Sequence, residues 1–266
     1  MQHNVSYTFL FAAAVCVACG IFVSASAVSL AGRQQQNAAL DKMKNVLYVA
    51  GLAEPGESLS AAEAERRFGR VRPIPVELAT GEVTGAIDPV TYNQSEAASN
   101  PAMSRPAPPN SAAVQRLPNY IVVYEVLNEQ GEAEMLVLPI EGYGLWSTLY
   151  GFLALDNDLE TIRGISYYQH GETAGLGGEV DNPGWKARWP GRRAFNEDGD
   201  VAIRVVKGPA GRPEEDPYHV DGLSGATLTS NGVTNMLHFW LGENGYGPFL
   251  KRYRETHAKT ATERAS

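Results

Sequence analysis

From Val5 to Leu30 the chain carries no charged side chain and includes Phe9, Leu10, Phe11, Val15, Val17, Ile21, Phe22 and Val23. About 20 apolar residues suffice to cross a bilayer as a helix. Ser24-Ala25-Ser26-Ala27 offers small residues for signal cleavage, but no Lys or Arg precedes the run, which is also longer than a signal core. The segment therefore reads as an uncleaved anchor, residues 1–32. Arg33, Lys42 and Lys44 follow it, and on flanking charge alone they lean towards a cytoplasmic remainder. Next, Leu40, Met43, Val46 and Leu47 recur at helical spacing, predicting a helix over Gln35–Ala50 that Pro55-Gly56 breaks. Ser60-Ala61-Ala62-Glu63 has the capping-box pattern for a second helix through Arg67 and Phe68.

Beyond Gly85 the composition shifts to Ala, Asn, Ser and Pro, with Pro106, Pro108 and Pro109 together. An exposed loop is expected as far as Pro118. β-rich runs follow. Tyr120–Leu127 and Ala133–Ile140 flank Asn128-Glu129-Gln130-Gly131, and Tyr150–Leu155 and Thr161–Tyr168 flank Asp156-Asn157-Asp158; both pairs predict hairpins. A Gly-rich loop spans Gly171–Gly178, an aromatic and basic stretch includes Trp185, Arg188 and Trp189, and Val201–Val206 predicts a further strand. Val233, Met236, Leu237, Trp240 and Leu241 then mark one buried helix face. Hairpins with flanking helices indicate an α+β fold. The expected division is an anchor at 1–32, a helical region and exposed loop at 33–118, an α+β domain at 119–257 and a tail at 258–266.

Composition narrows the function. A net charge of −8 with no long Lys/Arg stripe argues against nucleic acid as a partner. The two cysteines, Cys16 and Cys19, lie in the apolar run. Their Cys-x-x-Cys spacing lacks any nearby charge to stabilise a thiolate, so they read as small helix residues. No two of the five histidines have metal-ligand spacing. His238 reads as a packed or surface residue of the last predicted helix.

The stretch with most chemistry is Asp221-Gly222-Leu223-Ser224-Gly225-Ala226-Thr227-Leu228-Thr229-Ser230, directly before that helix. Small residues let a ligand approach the backbone, and a helix start favours an anion. A plain Ser/Thr N-cap is the competing reading. So is a nucleophile elbow with Ser224 as nucleophile and His170 or His219 as base; it calls for Gly where Ala226 stands, and for a buried strand where Pro217–Asp221 is short and polar.

Over its whole length this string resembles the flavinylation motif of the FMN-binding domain family. Gly142-Tyr143-Gly144-Leu145-Trp146, Gly151–Asp156 and His170-Gly171-Glu172-Thr173-Ala174-Gly175-Leu176-Gly177 also resemble that family, with Ala174 standing where many relatives carry proline. Anchor, insertion and domain together resemble the C-subunit family of the sodium-translocating NADH:quinone reductase, the related Rnf-complex G subunit being the alternative. The resemblance implies an FMN-binding domain with an antiparallel sheet at 119–257. It implies FMN esterified through its phosphate to Thr227 by a flavin transferase. It also implies electron transfer within a multisubunit inner-membrane complex that exports sodium, with the domain in the periplasm. Trp146, Thr173 and Leu176 are the expected ring-lining residues, with Glu172 and Ser224 as polar neighbours and Gly225 and Ala226 making room beside Thr227. Trp146 also reads as a core tryptophan, Glu172 as a solvated loop acid, and Gly175, Gly177 and Gly178 as turn residues.

Overall fold

A computed structural model describes residues 5–54 and 56–265. Two units separate at Lys42/Met43. The first is helical, and its 26-residue segment Val5–Leu30 contains an 18-residue stretch of mean hydropathy 2.3 with none of it buried. That is long and apolar enough to cross a membrane. Helix α1 spans Val5–Val49, so the helix expected from Gln35 is its continuation.

The second unit begins with about the last two turns of α1, where Val46 and Leu47 are buried. Of the expected break, Pro55 lies outside the described residues and Gly56 has φ +86°. Helix α2 (Ala61–Phe68) starts as half a capping box. Ser60 Oγ accepts from Glu63 N at 3.2 Å, while the Glu63 carboxylate turns to Arg66 and Arg67 instead of Ser60.

Strand β1 (Val71–Glu77), which alternation did not predict, forms most of one sheet edge with the two-residue β2 (Glu82–Val83). Pro73 and Pro75 hide it in the sequence, because proline cannot donate to a ladder. The fold tolerates them because Pro75 O accepts from Thr84 N, placing the odd positions of β1 on the outer edge. Missing donors there blunt the edge against pairing with another chain.

The expected exposed loop at 85–118 is corrected by the structure. It contains α3 (Gln94–Ser99), capped by Asn93, and the short antiparallel pair β3 (Ser104–Pro106) and β4 (Arg116–Pro118). Ala112, Val114 and Leu117 are buried in the main core. Proline and asparagine set the turns here, while isolated apolar residues face inward without a periodic pattern.

Strands β5 (Tyr120–Leu127), β6 (Ala133–Tyr143), β7 (Thr148–Asp156) and β8 (Ile162–Gln169) complete an antiparallel sheet of order β2-β1-β5-β6-β7-β8. Both predicted hairpins form. Asn128 Oδ1 accepts from Gln130 N and Glu132 N, and the Asp158 carboxylate accepts from Glu160 N and Thr161 N. These two turns share one end of the sheet. The β6–β7 turn and the exit of β8 share the other, since Tyr143 pairs with Thr148 and Tyr150 with Gln169.

After a 3-10 turn (Gly177–Asp181) come α4 (Pro183–Lys186), β9 (Arg204–Val205) and β10 (His219–Val220), the last two a parallel pair. Of the predicted strand at Val201–Val206, Arg204 and Val205 form β9 and Val201 makes an isolated antiparallel bridge with Phe195. Helix α5 (Thr227–Leu241) buries Val233, Met236, Leu237 and Trp240 completely against β6. Trp240 Nε1 donates to Glu141 O at 2.7 Å. His238, predicted as packed or surface, is partly buried and bonds Ile203 O at 2.9 Å, and burial lowers its pKa. Helix α6 (Gly247–Ala265) follows.

Candidate functional site

Three segments meet at the sheet end that carries the β6–β7 turn. They are that turn (144–147), the Gly-rich loop (170–178) and the start of α5. Close backbone approach brings them together. A methyl at Gly232 would stand 2.4 Å from Tyr143 O, and one at Gly144 would stand 2.6 Å from Glu172 Oε1. At Gly177 it would meet both Glu172 Oε2 and Thr229 Oγ1 at 2.5 Å. Gly225 has φ +70°, a left-handed conformation that side chains resist, and its open face lies against Leu176.

Glu172 is the hub. Its carboxylate is buried, and it accepts from Leu145 N (3.1 and 3.2 Å), Trp146 N (2.9 Å), Ser147 N (3.2 Å) and Thr229 Oγ1 (2.6 Å). Three successive N–H groups form an anion-binding nest, and a side chain of this protein occupies it. Burial opposes the charge, but the Thr229 hydroxyl and the nest outweigh it and hold the Glu172 pKa below the ordinary glutamate value. Glu172 is therefore no solvated loop acid. His170 braces the hub: its Nδ1 accepts from Glu172 N at 3.2 Å while Nε2 bonds Asp181 at 2.8 Å.

The candidates sort by exposure. Ser224, Gly225 and Thr227 are exposed, as is Thr173, whose carbonyl accepts from Gly178 N at 2.9 Å. Ala226 is buried and is the N-cap of α5, with no side-chain bond to the first helical turn. The plain Ser/Thr cap therefore does not form: Thr229 turns to Glu172, and Ser230 Oγ accepts from Leu223 N at 3.1 Å. Thr227 is the first residue of the helix, with the positive end of the helix dipole beside it. Trp146 is 65% exposed, so it is not a core tryptophan, and Leu176 is 45% exposed. Tyr143, Leu145 and Leu228 are further exposed apolar side chains on these segments. Sequence reasoning missed Thr229, Ser230 and Asp221 as working parts. The signal lay in the motif, where hydroxyls and an acid outnumber what one attachment needs.

For an elbow, β10 is a two-residue strand. His170 bonds Asp181 and His219 bonds Asp216; among the described residues no hydrogen bond joins either to Ser224. Among the described residues no group of three His, Cys, Asp or Glu is placed to hold a metal ion.

The family model for the FMN-binding domain matches residues 144–242, from the β6–β7 turn to the end of α5, and so takes in all three segments of the site. Similarity to known proteins runs well past that domain. The C subunit of the Na(+)-translocating NADH-quinone reductase of Yersinia pestis is 46% identical over 257 residues, covering 96% of this chain and 95% of the relative. Its counterpart in Pseudomonas aeruginosa is 45% identical over 261 residues, covering 97% and 99%. The crystal structure of Shewanella oneidensis NqrC matches with a TM-score of 0.74 at 33% identity, over 80% of this chain and 96% of that one. This chain belongs to the C-subunit family of the Na(+)-translocating NADH-quinone reductase.

Proposed function

We propose that the protein is a flavin-carrying electron-transfer subunit, with FMN bound covalently as a phosphoester of Thr227. The observation that carries this is the setting of Thr227. It is an exposed hydroxyl on the first residue of a helix whose N-cap offers no side-chain acceptor, inside the segment that matches the FMN-binding domain. The residues present fit the cofactor. A phosphate on Thr227 would accept from first-turn N–H groups, and Gly225 keeps the backbone clear beside it. Exposed Trp146, Leu176 and Leu228, with Thr173, offer an apolar wall for a ring. Glu172 and Ser224 complete the surroundings, Glu172 by shaping the turn that carries Trp146. In maturation a flavin transferase joins Thr227 Oγ1 to the FMN phosphorus of FAD, with AMP leaving and the hydroxyl proton passing to solvent. Bound FMN would supply the electron chemistry, and the protein supplies attachment, orientation and shielding.

The relatives' names describe a multisubunit reductase that oxidises NADH, reduces quinone and moves sodium, and we assign this chain the same context. Its partners are then the other subunits, the transferase and the lipid around Val5–Leu30, in a bacterial inner membrane with the second unit in the periplasm. The decisive experiment is co-expression with the transferase. The denatured protein should fluoresce under ultraviolet light and gain the mass of FMN less one water, and Thr227→Ala should abolish both. Flavin retained by that variant after denaturation would refute the assignment. A cysteine introduced into the second unit should react with a membrane-impermeant reagent from the periplasmic side; failure to react would place that unit inside.

A further inference from the structure

Asp221, which opens the ten-residue motif, is held at three atoms. Its carbonyl oxygen accepts from Trp185 Nε1 at 2.8 Å, Oδ1 accepts from Ala210 N at 3.0 Å, and Oδ2 is ion-paired with Arg188. At the next residue, Gly222 N donates to Gly208 O at 2.9 Å, and a methyl there would stand 2.3 Å from Val206 O. Trp185 cannot swing away. It is buried edge-on against the fully buried Trp189, with ring centroids 5.3 Å apart. Arg192, also buried, donates to Arg188 O at 3.2 Å, Asp216 O at 2.5 Å and Gly211 O at 2.7 Å. The aromatic and basic stretch thus grips the chain from Gly211 to Asp221 through three side chains. None of the three belongs to the attachment motif or to the expected flavin wall.

We propose that Trp185 and Arg188 are positioning residues for Thr227: by holding Asp221 they fix the course on which the chain enters the acceptor loop. This rests on the reading of Thr227 as the attachment site. The downstream end is tied separately by Ser230 Oγ on Leu223 N, so Ser224, Gly225 and Thr227 are presented between two fixed points. The Arg188 side chain is half exposed. Ion pairs in that position contribute little to global stability, which makes it the residue where positioning separates from folding.

The test compares the full-length unmodified protein with its Arg188→Ala, Arg188→Lys, Asp221→Ala and doubly substituted variants by amide hydrogen exchange. In Arg188→Ala the hydrogen-bonded amides of Gly222, Leu223 and Ala226 should exchange about tenfold faster, as expected for loss of one charge-assisted bond. Those of β5–β8 should keep their rates. Arg188→Lys should recover part of the protection, and the double variant should exchange no faster than Asp221→Ala alone. On incubation with transferase and FAD, Arg188→Ala should load flavin several-fold more slowly while its melting temperature stays close to wild type. Unchanged loop exchange, an equal rise across the whole sheet, or loading at the wild-type rate would each overturn the proposal. Absence of flavin on wild-type Thr227 would instead refute the attachment reading, and the exchange measurement would still decide the clamp.

Discussion

Removing the Glu172 carboxylate offers the most direct test of how this site is built. In Glu172→Ala the three turn N–H groups of Leu145, Trp146 and Ser147 and the Thr229 hydroxyl lose their common acceptor. A bond to a charged group contributes about 1.5–3 kcal/mol, and breaking a buried charged arrangement costs about 3–5 kcal/mol. The nest borders solvent at Leu145 and Trp146, so water can replace part of it. The expected loss is therefore roughly 3–5 kcal/mol in total, not the sum of every bond. For a unit of this size that lowers the melting temperature by roughly 6–20 °C.

Glu172→Gln keeps an acceptor oxygen for the nest, and its amide can donate to a reoriented Thr229 hydroxyl. It should lose only the charge-dependent part, about 1.5–3 kcal/mol. The pH dependence follows from the sign of the shift. The folded-state pKa lies below the ordinary value, so the carboxylate's contribution is complete above the unfolded-state pKa. It disappears as pH falls through the folded-state pKa. Wild type and Glu172→Gln should therefore differ most near neutral pH and converge under acid. Urea denaturation across pH checks both statements. Equal effects of Ala and Gln, or a gap that widens in acid, would refute the account of Glu172 as an ionised staple.

Gly225→Ala places a methyl at φ +70° and 3.0 Å from Leu176 Cδ2. It should cost about 1–3 kcal/mol in thermal melts and displace Leu176. Ser230→Ala leaves the Leu223 N–H without its partner and should cost about 1–3 kcal/mol in urea denaturation. Tyr253→Phe removes a 2.5 Å bond to buried Glu125 beside Arg72, away from the β6–β7 turn; it should lower stability by about 1.5–3 kcal/mol and leave flavin loading unchanged. Deleting residues 5–30 should move the protein from the membrane fraction to the supernatant, read by fractionation.

Much of the sheet was legible because β5–β8 are runs rich in β-branched, aromatic and other apolar residues between turns with strong local chemistry: Asn128 and Asp158 each bond the backbone within a few residues. β1 was illegible for the opposite reason, since its prolines satisfy an edge requirement that exists only once β5 lies beside it. The 85–118 segment reads as a loop by composition because its buried residues, Ala112, Val114 and Leu117, are spaced by turns instead of a period. At the site, the motif identified the exposed threonine, yet the role of Glu172 was hidden. Its partners lie 25 to 27 residues upstream and 57 downstream, and no local pattern encodes that meeting.

The same division explains why the motif is longer than an attachment chemistry requires. A phosphoester needs one hydroxyl and room around it, which Thr227, Gly225 and Ser224 offer. Asp221 is fixed by Arg188, Trp185 and Ala210, Gly222 lies where no side chain fits, Leu223 is buried, and Thr229 and Ser230 tie the helix to Glu172 and to the loop. Those five, half of the ten-residue signature, are thus engaged in holding the loop and helix in place. On the proposed attachment, changing them should act on flavin loading through loop geometry, and changing Thr227 should act through the bond itself. A variant series that reads loop exchange and loading side by side separates these routes: Thr227→Ala should abolish loading with loop exchange unaltered, whereas Ser230→Ala should slow loading only as far as it loosens the loop.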